Sequence, residues 1–79
     1  MKTIYNETKG INSNYIQVRM LTGRKGYQIL DMTVITNGIP KEELTAYFGK
    51  SETDLIRLAI QAFDAAVANH PVLGKEKSE

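Results

Sequence analysis

Residues 14–21 alternate: Ile16, Val18 and Met20 point one way, and Tyr15, Gln17, Arg19 and Leu21 the other. Residues 27–35 alternate too, with Leu30, Met32 and Val34 opposite Tyr27, Ile29, Asp31, Thr33 and Ile35. A period of two marks a half-buried strand, and two such runs around a glycine-containing turn predict a β-hairpin. A three-residue loop, Arg24-Lys25-Gly26, puts Gly26 in the left-handed position that such loops favour. That loop fixes the register. Gly23 faces Tyr27, Leu21 faces Ile29, Arg19 faces Asp31, Gln17 faces Thr33 and Tyr15 faces Ile35. On the other side Met20 meets Leu30, Val18 meets Met32 and Ile16 meets Val34. Each pair is chemically matched, whereas a slip of one residue would mix the two faces. Residues 2–8 are short and polar, the pattern of an added edge strand.

Beyond this hairpin the period changes. Thr36-Asn37-Gly38 is a turn signal. Pro40 suits the first position of a helix, and Leu44, Tyr47 and Phe48 follow at i, i+3 and i+4, with Gly49 as a C-terminal stop. Ser51 caps a second helix, with Asp54 at capping-box distance and Glu52 in the first turn. This helix runs to about Asn69, where His70-Pro71 ends it. Its polar positions, Asp54, Arg57, Gln61 and Asp64, form one narrow stripe. The apolar remainder is wider than the arc of about 100° needed to rest on one sheet face. The surplus is covered by the short first helix, by a second subunit, or partly by nothing, since exposed alanines cost little. Ala59, Ala62 and Ala66 share a side and permit close backbone approach, the side on which a homodimer through the Ala-rich helix would form. The predicted fold is α+β: a two- or three-stranded antiparallel sheet with a short and a long helix packed on one face, in the order β(β)β-α-α.

Seventy-nine residues make one domain, and its core is small for its surface. The compact unit is expected over residues 1–70, with 71–79 as a flexible C-terminal tail. There is no cysteine, which removes disulfides, thiol catalysis and thiolate metal sites. The N-terminus turns polar at once, unlike a signal peptide. The apolar-rich run over residues 55–68 is interrupted by Arg57, Gln61 and Asp64 and is too short to span a bilayer. A cytoplasmic protein is expected. Net charge is +1, but residues 1–30 carry +4 and residues 31–79 carry −3.

Chemistry that needs clustered groups finds few candidates. The single histidine, His70, sits beside a proline at a helix end, where the helix dipole or water occupies it. Glu42 and Glu43 are adjacent, and adjacent helical residues diverge, so they read as acids of a first helical turn. Asp54 and Asp64 lie ten residues apart on one helix, roughly 15 Å along its axis, too far for a shared acid–base task. No nucleophile–base motif, phosphate loop or dinucleotide fingerprint is present. The expectation is a non-enzymatic protein with no cofactor and no metal.

Two surfaces remain. Arg24 and Lys25 at the hairpin tip, with Lys9, offer phosphate contacts to a nucleic acid, weak and steeply salt-dependent. The sheet face carrying Tyr15, Leu21, Tyr27, Ile29 and Ile35 with Arg19 is rich in the residue types of interaction hot spots, where a solvent-facing strand surface is usually polar. Tyr15, Arg19, Tyr27 and Ile29 are therefore the candidate partner-binding residues.

The stretch GKSETDLIRLAIQAF resembles the end of a double-stranded-RNA-binding domain, over less than a third of the chain. The first turn of its helix reads Glu52, Thr53, Asp54, where that family carries the cations that meet phosphate, so the family's function does not carry over. Size, absence of cysteine and stand-alone architecture are also similar to those of small phage or mobile-element proteins that block host defence complexes. The expected function is a small protein-interaction module, of the phage- or mobile-element inhibitor type, acting by surface occlusion. The alternative is a nucleic-acid-binding protein using the basic hairpin tip.

Overall fold

The computed structural model describes residues 2–77, those at 25, 76 and 77 by their backbone alone. Four strands precede one helix: β1 (Lys2–Ile11), β2 (Asn14–Thr22), β3 (Tyr27–Thr36), β4 (Ile39–Phe48) and α1 (Glu52–Asn69). The strands form one antiparallel sheet in the order β1-β2-β3-β4. The predicted hairpin is present in its predicted register, with Val18 opposite Met32 and Arg19 opposite Asp31. Gly26 has φ +72°, and the Gly23 N–H donates to the Tyr27 carbonyl at 2.8 Å.

The fold differs from the expected two or three strands and two helices. Residues 2–11 do pair with β2, with a register shift between Thr3 and Tyr5. The segment read as a short helix is the fourth strand. Asn37 and Gly38 both have positive φ, 51° and 84°, the two-residue turn whose twist returns a chain antiparallel to itself. That turn offers residues 39–48 the whole exposed edge of β3 as a hydrogen-bonding partner. The gain in ladder bonds overrides the helical spacing of Leu44, Tyr47 and Phe48, since propensity yields to tertiary context. Glu42 and Glu43 are consequently not acids of a first helical turn. They alternate to opposite sides of β4, opposite Thr33 and Met32.

The long helix follows its prediction. The Ser51 Oγ accepts from the Asp54 N–H at 3.1 Å. Asp54 turns its carboxylate forward to Arg57 at 3.0 Å. The core joins Ile16, Val18, Met20 and Leu30 of the sheet to Leu55, Ala59 and Val67 of α1. Ala59 is fully buried, and Ala62 and Ala66 pack against the same core. The small-residue side of α1 thus lies on its own sheet.

Compact structure continues past residue 70. Leu73 is fully buried and belongs to the core, and residues 73–77 form a 3-10 turn. A Cβ at Gly74 would lie 2.8 Å from the carbonyl oxygens of Val67 and Ala68, so only glycine allows this turn to approach the end of α1. His70 holds it there. Its Nδ1 accepts from the Val72 and Leu73 N–H groups, each at 3.1 Å. The ring proton therefore sits on Nε2, which donates to the Ile35 carbonyl at 3.0 Å and lies 3.3 Å from the Thr36 hydroxyl. The role expected for His70, contact with the helix dipole or water, is replaced by a clasp between the chain end and β3.

Candidate protein-contact surface

All helical packing falls on one side of the sheet. The other side runs in rows across the strands, set by the register. Asn6, Arg19, Asp31 and Leu44 form one row, and Thr8, Gln17, Thr33 and Glu42 the next. Leu21, Ile29 and Ala46 form a third, and Tyr27 and Phe48 a fourth. The apolar members gather toward the Arg24 end. Tyr27 and Phe48 stack with centroids 4.9 Å apart at 55°. Phe48 is 68% exposed, Leu44 64% and Tyr27 36%.

Of the residues selected from sequence, Arg19, Tyr27 and Ile29 fall in or beside this cluster. Tyr15 faces the same way but sits opposite Ile35, eight residues along β3 from Tyr27, or roughly 27 Å. It does not join them. Leu44, Ala46 and Phe48 were missed because residues 39–48 read as helix. The signal that would have found them is Asn37-Gly38, the strongest short hairpin dipeptide, followed by a second alternating run.

A polar centre borders the apolar cluster. Arg19 donates from Nη2 to Asp31 Oδ2. Asp31 is only 5% exposed although it faces away from the helix, and its Oδ1 is buried without a donor. Glu42 meets this carboxylate. The hydrogen bond to Asp31 raises the Glu42 pKa above its ordinary value, the negative charge of Asp31 adds to the rise, and Arg19 opposes it. A proton on Glu42 gives the Asp31 carboxylate a further donor. The folded state thus binds this proton more tightly than the unfolded chain does. Its stabilising effect is complete below the ordinary glutamate pKa and is lost as pH rises through the raised folded value. Glu42→Gln supplies an amide donor at every pH. It should raise the urea midpoint at pH 7 and leave it nearly unchanged at pH 4. An equal shift at both values would show that the two carboxyls are not linked.

The basic residues of the hairpin alternative are not brought together. Lys9 lies opposite Ile16 near the far end of β1. Arg24 follows Thr22 at the hairpin tip, about 20 Å or more along the strand direction. Lys25 has no described side chain. Arg24 instead neighbours Lys2 and Tyr27 around an open depression. Among the described residues no three His, Cys, Asp or Glu side chains are grouped to hold a metal ion. No helix among them is long and apolar enough to cross a membrane.

No protein family, curated protein or solved structure matches this chain. The surface itself carries the functional argument.

Proposed function

We propose that this protein is a small, non-enzymatic, cytoplasmic protein-interaction module that occludes a partner through the helix-free face of its sheet, as phage- and mobile-element-type inhibitors do. The observation that carries this reading is the apolar cluster of exposed Tyr27, Leu44 and Phe48 with half-buried Ile29, beside the Arg19–Asp31 pair. Aromatic and aliphatic anchors next to a held arginine are the composition of a hot spot. A rigid sheet presents them with little ordering cost on binding.

The test begins with capture of the partner from the native host. Its affinity is then measured for the unmodified protein and for Tyr27→Ser/Ile29→Ser. Hot-spot truncation costs at least about 2 kcal/mol, so binding should weaken at least about thirty-fold with the circular dichroism spectrum unchanged. Unchanged affinity would reject this face. A mobility shift with DNA or RNA at low salt, lost in Arg24→Ala/Lys25→Ala, would favour the nucleic-acid alternative instead.

A further inference from the structure

β4 is the anomaly of the sheet. Every residue of it except Tyr47 is exposed, and it ends the strand order, so among the described residues one side of its backbone has no strand partner. Such edges are normally guarded by charge or proline. The first half of β4 carries those guards, Pro40, Lys41, Glu42 and Glu43. The second half, Leu44-Thr45-Ala46-Tyr47-Phe48, carries none.

The direction of its backbone groups follows from one bond. The Gly49 N–H donates to the Gly26 carbonyl at 3.1 Å, across the sheet toward β3. By the alternation of an antiparallel ladder, odd-numbered residues of β4 face β3 and even-numbered ones face the free edge. Leu44, Ala46 and Phe48 therefore direct N–H and C=O outward. Pro40 falls on the same outward set, where its missing N–H costs no ladder bond.

We infer that a second copy of this chain pairs with this edge, antiparallel and centred on Ala46. In that register Ala46 meets its own copy and Leu44 lies opposite Phe48 of the partner subunit. Thr45 lies opposite Tyr47 of the partner subunit, and the matched span ends at Phe48, where β4 ends and Gly49 turns the chain with φ +68°. Apolar thus meets apolar along the matched span. Neighbouring registers lose this match. Centring on Thr45 sets Glu42 against Phe48, centring on Leu44 sets Glu42 against Ala46, and centring on Glu42 opposes that carboxylate to itself. The product is a continuous eight-stranded sheet with both helices on one face. On the other face Leu44, Phe48 and Tyr27 of the two copies merge into one apolar surface. This dimer uses the sheet edge and not the Ala-rich side of α1, which the monomer's own core occupies.

Ala46→Pro is the decisive variant. Proline at an even position leaves the ladder to β3 intact and removes the central donor of the intermolecular ladder. Sedimentation at about 1 mM protein should show a dimer for the parent and a monomer for Ala46→Pro, with the same helical and strand signals in circular dichroism. Cysteine scanning reads the register directly, since the chain has no other cysteine. A short bismaleimide should link Ala46→Cys efficiently and Leu44→Cys poorly, because residue 44 lies about 14 Å from its copy. A monomeric parent, a dimer that survives Ala46→Pro, or strongest linkage through Ala65→Cys on α1 would each overturn the inference. Capture of a heterologous partner by a monomer would leave the contact-surface reading standing while this one falls.

Discussion

Leu73→Ala should destabilise the protein by about 3 kcal/mol. Leu73 is fully buried among the core residues, so its truncation loses the transfer energy of the side chain and leaves a cavity. The backbone around it has little freedom to close that cavity. Gly74 leaves no room for even a Cβ against the carbonyls of Val67 and Ala68, and His70 Nδ1 accepts from the Val72 and Leu73 amides. A domain of this size has roughly 4–12 kcal/mol of total stability, so one residue near the chain end supports a large share of the fold. The melting midpoint should fall by more than about 10 °C. A fall of less than about 4 °C, near 1 kcal/mol or below, would mean that the chain beyond residue 70 adds little, as the sequence-based boundary implies.

His70→Ala should cost a comparable amount by a different route. It strands the Val72 and Leu73 N–H groups and removes the donor to the Ile35 carbonyl, in a place where His70 is only 4% exposed. Each buried group left without a partner costs about 1–3 kcal/mol. Water relieves some of this, and about 3 kcal/mol is the expected net loss. Hydrogen exchange distinguishes a clasp from a packing residue. The amides of Val72 and Leu73 should exchange faster than global unfolding allows, while those of β2 follow global stability. Uniform acceleration would contradict the clasp. Because both substitutions release the same segment, the double variant should cost less than the sum of the two.

Arg19 and Asp31 show how far the sequence alone reached. Their opposition across β2 and β3 followed from alternation and a loop length, and a slip of one residue would have mixed the two faces. Glu42 as the third member of that group was not legible, because its place depends on a strand that the local sequence describes equally well as a helix. The same ambiguity hid Leu44 and Phe48, and with them the larger part of the candidate contact surface. Tyr15 was chosen for its face, but alternation gives the face of a residue and not its distance along the sheet from the others.

Local sequence determined the central hairpin, its register, and the start and end of α1. Each of these rests on interactions within a few residues: side-chain period, turn conformation and capping. Tertiary structure decided the rest. The exposed edge of β3 drew residues 39–48 out of a helical pattern by offering a ladder of hydrogen bonds. A histidine 34 residues in sequence from its Thr36 partner fastened the chain end over Leu73. Both outcomes depend on backbone groups of one segment finding partners on a distant one, and residue spacing carries no record of which distant edge is free.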